Sequence, residues 1–529
     1  MRTELFPPPA FAALALCTTA IASPALAGTW TPLTHQPSFC AETALLLTDG
    51  GVLMHTCEGS DWWRLDPDLS GSYVNGTWRQ VASLPSGYTP LYFASAVLPD
   101  GRVIVEGGEY NGGPAEWTSL GAIYNPARDT WTSVLPPAGW SNIGDGQSVV
   151  LANGSFMLAN SRNTSQALFD ASTLGWTVTG TGKADRNYEE GWTLLPSGNV
   201  LTIDTGNGTL SELYNPAAGG WTLAGNVGVS LANSDQEIGP TVLMTDGRVF
   251  AAGATMHTAL YGTNGVWTPG PDYPFLATDG QMFAADAPAA PLPNGNVLIA
   301  TSPVDFQPKV HFFEFNGASF TEAPRTPNAA HVPSYSERFL VLPTGQVLAT
   351  DGSSDVEIYT ASGSANPAWS PTIASVPLSL PQGHSYSISG TQFNGLSQGA
   401  SYGDDAQMAT NYPLVRVAIV DTGHVRYLKT HDHSTMAVAT GSQPVSTTFD
   451  VPTFADPEEG GPASLQVIAN GIASPAVNVC IPLTAAQACS AQCFGTSSDA
   501  CGVTIGCPTL TGARCCTHMG GVWLGNRCV

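Results

Sequence analysis

One position in this chain collects acids and phenols. Seven to nine residues before each of seven tight turns stand Glu42, Tyr92, Asp145, the run Tyr188-Glu189-Glu190, Glu237, Asp286, and the run Tyr335-Ser336-Glu337. The turn residues are Asp49, Asp100, Asn153, Ser197, Asp246, Asn294 and Thr344. Six of the seven positions carry a carboxylate and three carry a tyrosine, so like charges would crowd wherever the turns are gathered. Such crowding is costly unless water, cations or hydrogen-bond donors offset it. Three chemistries suit these residue types. Oxygen ligands in a ring could hold a divalent cation. Two carboxylates could serve as acid and base on a glycan. Carboxylates with tyrosine rings could bind a sugar through its hydroxyls and its apolar face. The alternative is a solvated rim with carboxylates capping strand ends.

The elements that must position these residues are hairpins. Around each turn the chain repeats an apolar strand, a polar-Gly turn and a second apolar strand, as in "AVLPDGRVIV" and "VLMTDGRVFA". Successive turn residues are separated by 51, 53, 44, 49, 48 and 50 positions. A period near fifty made of hairpins predicts a seven-bladed, all-β propeller over residues 28–370, one blade per hairpin. In that architecture the strand before each turn is innermost. The residues leading into it then crown one mouth of the central channel.

Aromatic pairs close the repeats. Tyr124 and Trp131, Phe169 and Trp176, and Tyr214 and Trp221 keep one spacing. Tyr261/Trp267, Phe315/Phe320 and Tyr359/Trp369 vary it, and blade 1 ends at Trp78. These aromatics are read as packing between blades. Trp62, Trp63, Tyr110, Trp140 and Trp192 lie outside the pattern and are candidates for an exposed aromatic surface. Near Ser370 the period stops. Short alternating strands from Tyr386 to Cys480 predict an immunoglobulin-like sandwich over residues 371–482. Residues 483–529 form a Cys-rich tail.

Residues 1–27 read as a secretory signal: Arg2, an apolar run from Phe11 to Ile21, and Ala25-Leu26-Ala27. A secreted, extracellular protein without a membrane span is the expectation. The net charge of −24 excludes nucleic acid and anionic membrane surfaces as partners. Ten cysteines remain after residue 27. An even number in a secreted chain predicts disulfides. Cys40 and Cys57 flank the first hairpin and are expected to pair across it, and the other eight fall in the last fifty residues. Asp404 and Asp405 are an alternative place for calcium. A monomer is expected.

The stretch "LPDGRVIVEGG", with Gly107-Gly108, and the Tyr-to-Trp spacing resemble Kelch repeats. A secreted Kelch propeller followed by a sandwich resembles the galactose oxidase and glyoxal oxidase family of copper radical enzymes. The resemblance spans roughly Trp30 to Pro482. It implies a copper ion held by two tyrosines and two histidines, with one tyrosine cross-linked to a cysteine and stacked by an aromatic. On "YFASAVLPDGRVIVEGGEY" it places Tyr92 at the cross-linked tyrosine and Tyr110 at the stacking residue, with Cys40 as the cross-link partner. On "YSERFLVLPTG" it places Tyr335 at the second tyrosine, where Ser336 replaces the following histidine. On "DTGHVRY" it places His424 near the remaining histidine. The leading reading is a protein whose acidic, tyrosine-bearing mouth binds carbohydrate or a cell-envelope polymer. The second is a copper radical oxidase of alcohols or aldehydes using Tyr92, Tyr335, Tyr110 and His424. The third is a glycan hydrolase or lyase using two of the mouth carboxylates.

Overall fold

The computed structural model describes residues 27–57, 59–114, 117–399, 401–402, 411–488, 495–507, 523–524 and 527–528. The expected signal segment and the Asp404–Asp405 pair therefore lie outside the described residues, apart from Ala27. Among the described residues no helix is long and apolar enough to cross a membrane.

Each hairpin forms for a local reason. In the first six, the side chain of the first turn residue accepts from the backbone two residues on, as in Arg102 N to Asp100 Oδ1 at 3.0 Å and Asn296 N to Asn294 Oδ1 at 2.9 Å, while in the seventh the Thr344 hydroxyl donates to Gln346 Oε1. The following glycine takes the left-handed conformation that the turn requires, with φ of 81° at Gly101 and 92° at Gly295. The flanking strands are buried on both faces, as in Val103–Glu106 and Val249–Ala252. That is why they read as unbroken apolar runs rather than as alternating ones.

Seven antiparallel sheets result, each with four strands running outward from the axis, and blade 6 gains a fifth. Their innermost strands are Ala41–Leu46, Ala94–Val97, Ser148–Val150, Thr193–Leu194, Thr241–Leu243, Pro288–Pro291 and Arg338–Val341. Each innermost strand touches the next, and the last touches the first, so the sheets close into a ring. The chain is a seven-bladed all-β propeller.

Closure uses the N-terminal residues. Thr29–Pro32 is the outermost strand of blade 7, pairing with Val356–Thr360. The aromatic signature explains this placement. In blades 2 to 5 the two aromatics face each other across the outer strand pair, with ring centroids 4.9–5.4 Å apart. In blade 7, Tyr359 pairs with Trp30 at 4.8 Å, not with Trp369 as the sequence spacing suggested. Trp30 also meets Phe312 at 5.0 Å, and its indole N–H donates to Pro324 O at 2.7 Å. Trp62 and Trp192 are fully buried, which corrects their reading as surface aromatics.

Two further sheets follow the propeller. One holds Thr372–Ser375, His384–Thr391, Thr430–His431 and Val445–Val451. The other holds Leu414–Ile419, Val425–Leu428, Gly461–Ala469, Ile472–Ala473 and Val477–Ile481. Their alternating strands bury Ile388, Val417, Phe449, Leu465 and Val479 between them. This sandwich docks on the turn face of the propeller. A side-chain carbon at Gly50 would meet the Tyr427 ring, and one at Gly471 would meet Gly345. The Tyr412 hydroxyl donates to Leu46 O at the end of the blade 1 inner strand. Ser401–Tyr402 pairs with the inner strand of blade 6. The turn-face contacts hold the end of the propeller opposite the acidic residues, whereas Ser401–Tyr402 reaches Pro288 at the start of its strand. Cys40 is bonded to Cys57, and Cys480 to Cys501.

If Trp30 is what locks the ring, Trp30→Ala should destabilise the fold by about 3 kcal/mol. Urea denaturation checks this. A loss below about 1 kcal/mol would show that the terminal strand is dispensable.

Candidate functional site

Successive strands of a blade run antiparallel, so the start of the first strand and the end of the second share one face. That face carries the acidic residues. Two of these acids and one tyrosine sit on left-handed backbone just before an inner strand: Glu189 with φ 54°, Asp286 with 47° and Tyr92 with 51°. Non-glycine residues hold this conformation only where the surroundings enforce it, at about 1–3 kcal/mol each.

The rim divides into two electrostatic halves. On the side of blades 7, 1 and 2 the centre is Arg338, which is buried. Its guanidinium lies 5.7 Å from the Tyr92 ring centroid and donates to Tyr335 O at 2.7 Å and Glu337 O at 3.0 Å. It also contacts Glu42 at 3.5 Å. Buried His55 lies 3.9 Å from the same carboxylate. Tyr110 meets Tyr92 edge-on at 6.0 Å, and Phe306 meets Tyr335 edge-on at 5.5 Å. Here a cation from the protein itself already faces the Glu42 carboxylate and the Tyr92 ring.

The other half, from blades 3 to 6, is acidic. Oxygen atoms of Glu189, Glu237 and Asp286 all lie within 4.8 Å of one another. Asp145 is buried beside Glu189, and its Oδ1 has no hydrogen-bond donor. Burial pushes the Asp145 and Glu237 carboxyls up, and shared contacts with neighbouring carboxyls partly offset that. Glu109 is pushed up to about 7 by burial and by the fields of Asp145 and Glu237. Tyr188 flanks this group, and burial together with Glu189 and Glu237 raises its hydroxyl. Its ring lies 5.0 Å from Arg186 and 5.9 Å from Arg162, and Arg162 also covers Trp117 at 4.2 Å.

Three expected rim residues are elsewhere or occupied. Glu190 is fully buried inside blade 4, where Lys183 Nζ sits 2.8 Å from it and contacts Glu212 and Asp204. That carboxylate trio has its counter-ion within it, and Glu190 still titrates at about 7 because burial outweighs the lysine. Glu337 is buried among Asp351, Asp355 and Glu357 within blade 7, facing a small cavity rather than the axis. Glu42 is buried on Arg338. Sequence reasoning missed Glu109, Trp117, Arg162 and Arg338. The signal for Glu109 was present: it follows Gly107-Gly108 at the end of a second strand, which returns to the mouth face.

The residues present do not fit a copper radical centre. Cys40 is consumed by Cys57 and cannot link to Tyr92. His424 bonds to Glu459 at 3.0 Å, and its neighbour Val425 donates to Leu69 O in a blade 1 loop on the turn face. The histidine is therefore on the opposite face from Tyr92 and Tyr335, because the inner strands separate the two faces. Copper(II) favours imidazole nitrogen, yet Ser336 stands where the resemblance expects one, and the imidazole of His55 is held by Gly59 O and lies beside Glu42. The guanidinium of Arg338 lies 5.7 Å from the Tyr92 ring centroid, so a cation of the protein already stands beside that phenol.

No protein-family model matches the chain, and no curated protein matches it either. Among solved structures the chain is similar to a copper-bound fungal alcohol oxidase of the AA5 family. Identity is 14%, the TM-score is 0.48, and coverage is 86% of this chain and 100% of that one. It is similar to a streptogramin B lyase, with 12% identity, TM-score 0.45, and 63% and 98% coverage. It is also similar to virginiamycin B lyase from Staphylococcus aureus, with 9% identity, TM-score 0.44, and 63% and 98% coverage. At these values the likeness says nothing about residues at the mouth.

Two outcomes are expected. Protein loaded with copper and then dialysed should keep no stoichiometric copper by metal analysis; an equimolar content would restore the oxidase. Stability should fall as pH rises from about 5 to about 8, because Glu109 and Glu190 hold protons in the folded state that the unfolded chain has already released. Urea midpoints across that range measure this. A midpoint that rises instead would contradict the raised carboxyls.

Proposed function

We propose that this protein binds a hydroxyl-rich polymer, a carbohydrate or cell-envelope glycan, at the acidic mouth of its propeller, acting outside the cytosol. The observation that carries this reading is the meeting, on one rim, of half-buried aromatic rings with a floor of carboxylates drawn from separate blades. Tyr92, Tyr110, Tyr188 and Tyr335 are half-buried, as are Trp117, Glu109, Glu237 and Asp286. Such rings offer apolar faces to sugar C–H groups, and carboxylates accept from sugar hydroxyls. The two disulfides suit an oxidising compartment. The net charge of −24 disfavours anionic polymers and favours neutral or basic ones.

A second reading has one observation in its favour. Glu109, held at about 7, keeps a proton near neutrality beside Asp145 and Glu237, as a general acid for glycan cleavage must.

Glycan-array binding by the wild type, compared with Tyr188→Ala and Glu189→Gln, tests the first reading. Each variant is expected to lose about tenfold or more in affinity, the scale of one lost ring or hydrogen-bonded contact. Unchanged binding in both would remove the mouth from the interaction. Release of reducing ends from the bound glycan, abolished by Glu109→Gln, would move the assignment to the second reading.

A further inference from the structure

Part of the chain that belongs to the sandwich enters the axial channel of the propeller. Gln398 N donates to Leu243 O on the inner strand of blade 5 at 3.2 Å, and Ser401–Tyr402 pairs with the inner strand of blade 6. The Tyr412 hydroxyl reaches Leu46 O on the inner strand of blade 1. These contacts lie on one side of the ring. On the other side, toward blades 2, 3 and 4, a cavity of about 30 Å³ lies between Gln398, Tyr412 and Met436 and the inner strands at Ser95, Ser148 and Leu194. We infer that this cavity is a binding site for about two water molecules, held by Ser95, Ser148 and Gln398, that join the sandwich to the propeller axis.

Buried polar atoms around the cavity point to a ligand. Ser95 Oγ, Ser148 Oγ and both amide atoms of Gln398 have no hydrogen-bond partner in the protein. These residues are 0%, 1% and 2% exposed, so bulk solvent does not reach them. The neighbouring amide shows the contrast. Asn411 donates to Asn394 O at 2.9 Å and accepts from Gly399 N at 3.1 Å. Buried polar groups without a partner are costly, and native interiors keep few of them.

The donor set chooses the ligand. Gln398 Nε2 can only donate and its Oε1 can only accept, whereas the two hydroxyls do either. A cation would leave the amide nitrogen unanswered, and an anion would leave the amide oxygen unanswered. Water donates and accepts at once. The volume agrees, since each water needs about 10–15 Å³ of such space, and a sugar ring does not fit. The groups joined come from blade 2, blade 3 and the sandwich, so the waters would replace direct bonds that this side of the channel lacks.

The site stands apart from the mouth, and its test needs no polymer. A high-resolution crystal structure of the wild type is expected to show ordered density within hydrogen-bond distance of Gln398 and of both serines. Ser95→Ala and Ser148→Ala each remove one partner of a bound water, so calorimetry should show each melting about 1–2 °C lower. In a dry cavity the same changes would delete an unpaired hydroxyl and raise the melting temperature. Xenon gives an independent probe, because it enters dry apolar cavities. Wild-type crystals pressurised with xenon should show none of it at this place. Absence of density there, a higher melting temperature in both serine variants, or bound xenon would each overturn the site.

Discussion

The ring of inner strands is the constraint on which the rest depends. A blade of four strands cannot bury both faces alone, so each relies on the next, and the series is stable only when the last blade meets the first. Here the closing strand is Thr29–Pro32, and its Trp30 fills the wedge beside Tyr359 and Phe312. Closure brings Glu42 to Arg338 across 296 positions of chain. It also sets Asp145, Glu189, Glu237 and Asp286 side by side from four consecutive blades. The mouth is a by-product of that packing, and its chemistry is whatever the seven leading segments deliver.

What they deliver is an uneven distribution of charge. Where Arg338 is present, the Glu42 carboxylate, the Tyr92 ring and the carbonyls of Tyr335 and Glu337 share it. In the half from blades 3 to 6, desolvation raises the carboxyls and they interact with one another. Lys183 illustrates the same rule inside blade 4, where its ammonium makes three buried carboxylates tolerable.

The repeats, turns and sandwich strands were legible because they rest on local physics. Asx turns with a left-handed glycine and strands buried on both faces leave direct traces in sequence. The rim was legible in part. Asp145, Glu189, Glu237, Asp286 and the tyrosines lie where the offset from each turn put them. Glu190 and Glu337 kept the offset but turned away. Adjacent residues in extended chain point to opposite sides, and the left-handed backbone at Glu189 fixes which of Glu189 and Glu190 faces the axis. Glu337 follows a short 3-10 turn at Ser334–Ser336 that resets its direction. The Tyr359–Trp30 pair was hidden because spacing along the chain cannot see a partner supplied by the other end.

The sequence alone determined how many blades there are, where each turn lies, and which segments lead into the inner strands, since all three follow from interactions between near neighbours. Only the tertiary structure decided which acids share a site. That depends on ring closure, on backbone conformation at single residues such as Tyr92 and Asp286, and on where Lys183 and Arg338 place their charge. Those are interactions between residues far apart in the chain, and their energies depend on burial that no linear pattern records.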